Sequence, residues 1–146
     1  MLEMSTDNYR NRVIVLIENI DRMAVYALQY AKLISEDIIA LSLAVDKEME
    51  NELHSEWDKM NTGIPYIICC SRNRGITQLL NEFITSPEYC YTSGDMITVI
   101  LPQLFTNKRR HKFLYNGLIK FIDLSLLKHL NIAITMVPYY LDEKLF

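Results

Sequence analysis

Apolar and polar positions fall into blocks along the chain, and the clearest apolar block lies near its start. Residues 13–17 (VIVLI) form an unbroken β-branched and aliphatic run. A strand with one exposed face would alternate apolar and polar residues, so this run predicts a strand buried on both faces of a parallel sheet. The run stops at Glu18, and a helical pattern begins near Arg22. We expect residues 19–22 to form the rim of a binding site, because ligands bind at the carboxyl ends of parallel strands.

The rest of the chain alternates predicted helices with predicted strands. Further strands are predicted over residues 37–45, 64–71, 96–101 and 132–137, and helices over residues 23–34, 47–60, 76–85 and 107–128. Residues 102–106 are predicted to turn the chain, and Pro138 to end the last strand. Five strands alternating with four helices call for right-handed crossovers, so the sequence predicts a single three-layer α/β domain with a parallel sheet.

The composition is that of one globular domain. The chain has 146 residues, half of them apolar, and a net charge of −3, so bulk charge gives no reason to expect nucleic acid as a partner. Residues 1–8 are interpreted as a disordered leader or a cloning boundary, and residues 9–146 as the domain. No apolar run approaches the roughly 20 residues of a membrane span. Cys69, Cys70 and Cys90 lack a C-x-x-C spacing, which favours a reduced cytosolic compartment.

The sequence contains no motif typical of catalysis, metal binding or a glycine-rich phosphate loop. It has no G-x-S-x-G, and its three histidines lack metal-ligand spacing. Its four glycines, at positions 63, 75, 94 and 117, fit neither G-x-G-x-x-G nor G-x-x-x-x-G-K-[ST]. The sequence therefore predicts a protein that is not an enzyme and that has no cofactor or metal.

Two basic clusters are candidates for binding an anion. Residues 108–112 (KRRHK) open the predicted long helix, where cations oppose the helix dipole and a bound anion would remove the conflict. The alternative is a solvated turn, or one that faces an acidic partner or lipid head groups. Arg72 and Arg74 follow the third strand on the same rim, although each alone is an ordinary surface residue. Asp46 follows the second strand, where it could accept from a ribose hydroxyl or simply cap the next helix.

The ordered segments of the chain resemble a known family. They are NRVIVLIENIDRMAVYALQYAKLISEDIIALSLAVD, CCSRNRGITQLLNEFI, MITVILPQLF, NKRRHKFLYNGL and ITMVPYYL. Over residues 9–141 they resemble the cytosolic C-terminal domain of APC-superfamily permeases of the KimA potassium-transporter type, a domain similar to universal stress proteins. The resemblance implies a strand order of 3-2-1-4-5 and a homodimer, commonly paired through the fifth strand. It also implies a regulatory role beside a transmembrane permease domain, at the cytoplasmic face of the cell membrane.

The resemblance further implies a ligand, because permeases of this type are inhibited by the second messenger cyclic di-AMP. The residues expected to hold its two phosphates are Arg72, Arg74, Arg109, Arg110 and His111. The residues expected to contact its adenine rings and polar edges are Asn19, Ile20, Val45 and Asp46. Two alternatives stay open: a dimerisation module of the permease without a nucleotide ligand, and an ATP-binding universal stress protein. The missing glycine-rich loop counts against ATP.

Overall fold

A computed structural model describes residues 10–70, 75–92, 94–106 and 131–141 of the chain. The strands are β1 (Asn11–Leu16), β2 (Ile38–Ser42), β3 (Tyr66–Ile68), β4 (Met96–Thr106) and β5 (Ile132–Leu141). The helices in this part of the chain are α1 (Arg22–Ile34), α2 (Lys47–Met60) and α3 (Ile76–Thr85). The five strands form one all-parallel sheet in the order β3-β2-β1-β4-β5, so the predicted α/β fold and strand order are confirmed. The fourth predicted helix, residues 107–128, lies outside the described residues.

Strand β1 is central because its side chains are apolar on both faces. It pairs with β2 on one side and with β4 on the other. Val13, Val15 and Ile17 belong to one buried cluster, while Ile14 and Leu16 belong to the cluster on the opposite face of the sheet. Each of these five side chains is at most 3% exposed. Burial on both faces is what the unbroken apolar run predicted.

The helices cover both faces of the sheet and complete the three layers. Helix α1 lies close to β1 and β4 through three buried alanines, Ala24, Ala27 and Ala31, whose small side chains allow close approach. Trp57 of α2 packs in the same cluster. Helix α3 covers the other face with the buried side chains of Leu80, Phe83 and Ile84. The predicted bounds of α2 and α3 are confirmed.

Strands β4 and β5 are longer than the sequence predicted, and both continue through a proline. The predicted turn at residues 102–106 was wrong, since these residues pair with residues 137–141 of β5. Amide groups alternate between the two sides of a strand. Met96 N donates to Arg10 O on the β1 side, so Pro102 also faces that side, beyond the last β1 pair at Ile100. Pro102 therefore leaves the pairing of β4 with β5 intact, and its missing amide lies where the pairing with β1 ends.

Pro138 is tolerated for a similar reason. Ile97 N donates to Asn131 O, so odd-numbered residues of β5 face β4 and even-numbered residues face the outer edge. The missing amide of Pro138 therefore lies on the side of the sheet where an edge strand needs no donor. The prediction that Pro138 ends the strand was wrong, and β5 continues to Leu141.

Strands β2 and β3 are shorter than predicted. Ala44 has a left-handed backbone (φ 57°), which ends the extended conformation after β2. Strand β3 ends at Ile68, so Cys69 and Cys70 follow the strand and do not lie on it as predicted. At the carboxyl end of the sheet, β2 and β3 are therefore followed by loop residues.

Candidate functional site

A groove lies at the carboxyl end of the sheet, between the loops that follow β1 and β2. Its volume is about 330 Å³, within the roughly 300–1,000 Å³ typical of ligand pockets. The side chains and backbone that line it are those of Ile17, Glu18, Asn19, Leu43, Ala44, Val45, Met49, Leu53 and Ile76. Most of these side chains are apolar, and Glu18 and Asn19 add polar groups from one wall. We call this the rim groove.

A second, much smaller recess of about 10 Å³ lies on the other side of the β1 end. It shares Ile17, Glu18 and Asn19 with the rim groove, and its far wall is formed by Met23 and Pro102. The end of β1 therefore separates the rim groove from the smaller recess. Strand order reverses between β1 and β4, and this is the place where open α/β sheets bind ligands.

The polar groups between the two recesses come from the loop between β1 and α1. Asp21 caps α1, because its Oδ1 accepts from Ala24 N at 2.9 Å. The Glu18 carboxyl lies against the groove walls, and the resulting loss of solvent raises its pKa, with a smaller contribution from the Asp21 carboxylate. Asn19 offers an amide with both a donor and an acceptor. The loop can therefore bind groups of either hydrogen-bonding polarity.

Two of the predicted binding residues, Asn19 and Val45, line the rim groove together. Ile20 is half-buried and packs against the core cluster on the α1 side, so part of its side chain supports the fold. Asp46 precedes α2, and its backbone oxygen accepts from Met49 N at 2.9 Å. Within the described chain its side chain makes no hydrogen bond that caps the helix, unlike Asp21. Their roles in binding stay predictions.

The predicted phosphate-binding residues lie outside the described residues. They are Arg72, Arg74, Arg109, Arg110 and His111. The chain reaches the first pair from Cys70, near the rim, and the second group from Thr106. Thr106 lies six residues beyond Ile100, the last residue of β4 that pairs with β1, and an extended strand of that length spans roughly 20 Å. Thr106, the last described residue before the second group, therefore lies further from the rim groove than a turn at residues 102–106 would have placed it.

The sequence analysis did not single out several residues that line the rim groove. Met49, Leu53 and Ile76 fall within predicted helices, and Met49 is 43% exposed and forms a wall of the groove. Glu18 was treated only as the end of a strand. Glu18 is the first polar residue after a run that is buried on both faces, and this position could have indicated that it lies at the rim. The sequence did not indicate that residues of α2 and α3 would form walls of the groove, because those walls depend on how the helices pack.

A hydrogen-bonded chain of buried groups supports the floor of the rim groove. Ser42 Oγ donates to Ile17 O at 2.7 Å and lies 2.7 Å from Tyr66 Oη. The Tyr66 ring stacks on Trp57 with centroids 4.6 Å apart, and Trp57 Nε1 donates to Ile64 O at 3.0 Å. These contacts hold the ends of β1, β2 and β3 at fixed relative positions.

The cysteines and histidines of the described chain show no arrangement suited to catalysis. Burial raises the pKa of the Cys69 thiol, and burial together with a 3.4 Å hydrogen bond to Glu50 raises that of Cys70. Both effects disfavour the reactive thiolate. His54 packs edge-on against Tyr66 with ring centroids 5.7 Å apart. Among the described residues, no three His, Cys, Asp or Glu side chains are grouped to hold a metal ion.

A charged cluster lies at the opposite end of the sheet, where β1 and β4 begin. The buried Arg12 guanidinium lies 3.2 Å from Asp37 Oδ2 and 3.7 Å from the centroid of the Tyr89 ring. Arg10 donates to the Asp95 carboxylate at 3.0 and 3.3 Å, and these bonds lower the pKa of Asp95 to about 2. Burial raises the pKa of Tyr89 to about 12. Both guanidinium groups face carboxylates, so the cluster stabilises this end of the sheet.

These features define a class of protein: a doubly wound α/β domain with an open groove at the carboxyl end of its sheet, beside the central strand β1. Within the described residues, no helix combines the length and apolar character needed to cross a membrane. Comparison with known proteins then identifies the family. A family model described as the KimA potassium transporter C-terminal domain matches residues 9–139. The chain belongs to this family of potassium-transporter domains.

A curated relative agrees with the family assignment. Potassium transporter KimA of Bacillus subtilis (strain 168) is 25% identical to this chain over 132 residues. The match covers 90% of this chain and 22% of the relative. The chain therefore corresponds to one domain of a much longer transporter.

Proposed function

We propose that this chain is a non-catalytic regulatory domain that binds cyclic di-AMP and controls the potassium transporter to which it belongs. The observation that carries the proposal is the rim groove, which combines apolar walls with the Asn19 amide at the carboxyl end of the sheet, between the loops after β1 and β2. The relative named above is a potassium transporter, and in this proposal the ligand-binding domain regulates an attached permease domain. In this proposal the domain lies at the cytoplasmic face of the membrane.

The groove suits a flat, mostly apolar ring with a polar edge. Val45, Leu43 and Met49 supply apolar walls against which an adenine ring can pack. Asn19 can donate to and accept from the edge of the ring, as adenine recognition requires. Asp46 follows Val45 directly and in this proposal accepts from a polar edge of the ligand.

The phosphates are assigned to arginine side chains because the sequence lacks a glycine-rich loop. Strands β3 and β4 are three positions apart in the sheet, or roughly 14 Å. One phosphate cannot bridge that distance, but a ligand with two phosphates can contact arginines that follow both strands. The extension of β4 increases this separation. It therefore favours a ligand shared between two copies of the chain.

Strand β5 is the proposed contact between the two copies. It is ten residues long and lies at the edge of the sheet. Met136 and Tyr140 are 52% and 61% exposed on it. An exposed edge strand is a ready template for pairing with a second chain. A homodimer formed there would join the two sheets edge to edge.

The proposal is tested by titration calorimetry of the purified chain with cyclic di-AMP, with ATP and cyclic di-GMP as controls. We expect selective binding of cyclic di-AMP, near one ligand per two chains. Val45→Asp should weaken binding at least tenfold, because it places a charge on an apolar wall of the groove. Leu33→Asp is the control, since Leu33 is 84% exposed in the last turn of α1, at the end of the helix opposite the rim. Equal affinity in a folded Val45→Asp chain contradicts the assignment to the rim groove.

The edge strand also favours a second candidate function, a dimerisation module that binds no nucleotide. In that case a folded dimer gives no heat with any of the three nucleotides. Sedimentation velocity of the unliganded chain then decides whether dimerisation is independent of ligand. Binding of ATP with magnesium in preference to cyclic di-AMP would instead support the third alternative, an ATP-binding universal stress protein.

A further inference from the structure

Glu18 differs in charge from the other described residues that line the rim groove. Among them it has the only charged side chain, and apart from Asn19 the others are apolar. Glu18 also borders the smaller recess, so it lies between the two cavities at the end of β1. A carboxylate accepts hydrogen bonds and donates none, which restricts the chemistry of any group that binds beside it.

The backbone on both sides of Glu18 is held in place. Ile17 N donates to Leu41 O at 3.0 Å, and Ile17 O accepts from Ser42 Oγ at 2.7 Å. At the other end of the loop, Asp21 caps α1 through its side chain. The loop that carries Glu18 is therefore short and anchored at both ends. A group presented by such a loop loses little freedom when a ligand binds to it.

Within the described chain, nothing compensates the charge of the Glu18 carboxylate. Loss of solvent raises its pKa, and the charge of Asp21 raises it further. Both effects disfavour the anion, and no described cation or hydrogen-bond donor offsets them. A ligand that donates a hydrogen bond to the carboxylate would offset them, whereas a phosphate beside it would add a like charge. The rim groove therefore favours the edge of a base that carries a donor over a phosphate.

We propose that Glu18 is the specificity-determining residue of the rim groove and accepts a hydrogen bond from the 6-amino group of a bound purine. This inference rests on the proposed function, in which the groove holds an adenine ring of cyclic di-AMP. Adenine presents an amino donor beside a ring nitrogen that accepts. Glu18 supplies the matching acceptor, and the amide of the neighbouring Asn19 supplies the donor. A 6-oxo purine in the same position would place its O6 acceptor against the Glu18 carboxylate.

Titration calorimetry of the purified chain at neutral pH tests this role with two ligands, cyclic di-AMP and its 6-oxo analogue cyclic di-IMP. Cyclic di-IMP loses a hydrogen bond to a charged group and brings two acceptors together, so it should bind roughly tenfold more weakly or worse. Equal affinity for the two ligands overturns the role of Glu18 and leaves the proposed function standing. Absence of binding by either ligand overturns the proposed function, and the role of Glu18 with it.

Glu18→Gln separates recognition of the amino group from a structural role. The amide of the variant accepts from a 6-amino group or, when rotated, donates to a 6-oxo group. The preference for cyclic di-AMP should therefore fall at least about fivefold. Glu36→Gln removes the same charge from an exposed position just after α1 and should keep the full preference. A preference in Glu18→Gln as large as in the wild-type chain overturns the proposal.

Glu18→Ala gives a second, independent measurement. The variant lacks the acceptor, so cyclic di-AMP should bind roughly tenfold more weakly. Cyclic di-IMP should bind as well as before or better, because the repulsion between its O6 and the carboxylate is gone. A structural role would weaken both ligands in parallel, and parallel loss therefore overturns the proposal. The urea midpoint of each variant, compared with that of the wild-type chain, shows that the variants are folded.

Discussion

Replacing Asp95 with Asn should remove a pH-dependent part of the stability of this domain. The Asp95 carboxylate is 4% exposed and accepts two hydrogen bonds from Arg10, while Thr92 N donates to it at 3.2 Å. These interactions favour the charged form and lower the pKa of Asp95 from 3.8 to about 2. A carboxyl group whose pKa is lower in the folded chain stabilises the fold fully above its unfolded pKa. This stabilisation is lost as the pH falls through about 2.

The size of the effect follows from the pKa difference and from the exposure of the partner. A fall from 3.8 to about 2 corresponds to at most about 2.5 kcal/mol, at about 1.4 kcal/mol per pKa unit. The Arg10 side chain is 55% exposed, so solvent screens the pair and the expected contribution is smaller, roughly 1–2 kcal/mol. Asp95→Asn should therefore lower the free energy of unfolding by that amount at pH 6.

Urea denaturation of wild-type and variant chains between pH 6 and pH 2 measures this contribution. The difference in the free energy of unfolding should be largest above pH 4 and should shrink towards pH 2. Glu52→Gln, on the exposed surface of α2, changes the net charge equally and serves as the control. A difference between wild-type and Asp95→Asn that is constant across this pH range would refute the assignment of the ion pair.

Four further substitutions test the packing and hydrogen bonding of the fold. Asp21→Ala should lower the free energy of unfolding by about 1 kcal/mol, because it removes the hydrogen bond that caps α1. Asp46→Ala should lower the free energy of unfolding by less, because the Asp46 side chain makes no such capping bond to α2. Chemical denaturation of both variants measures the difference. Ser42→Ala should cost roughly 1–3 kcal/mol in the same assay, because its buried hydroxyl makes two hydrogen bonds of 2.7 Å. Leu80→Ala, at a fully buried position, should cost roughly 2–5 kcal/mol by thermal or urea unfolding, and a cost below 1 kcal/mol would contradict the packing of α3.

The sequence allowed the central layer and the helices to be predicted, because periodicity reports burial directly. The run at residues 13–17 identified the central strand, whose five side chains are buried. The predicted ends at Pro102 and Pro138 failed for a common reason. Whether a proline disrupts a strand depends on which side its missing amide faces, and that is decided by which neighbours the strand has. A single sequence does not contain that information.

The site was predictable to a lesser degree. Asn19 was expected at the rim because it follows the first strand, and Val45 was expected to contact a ligand because of the family resemblance. The structure places both along the rim groove. The opposite walls, from Met49 and Ile76, depend on the packing of two helices on different faces of the sheet. Their apolar character is equally typical of core residues. The sequence therefore predicted where a groove lies but not which helix residues close it.

The position of Pro138 limits what can bind to the outer edge of β5. Along that edge, amide donors belong to even-numbered residues, and Pro138 removes one of them between Met136 and Tyr140. A strand added there, from a second copy or from another protein, loses its continuous hydrogen-bond ladder at that residue. Pairing is thereby favoured along the first half of β5, from Ile132 to Met136. The proline sets a register for specific association and makes this long edge a poor template for open-ended aggregation.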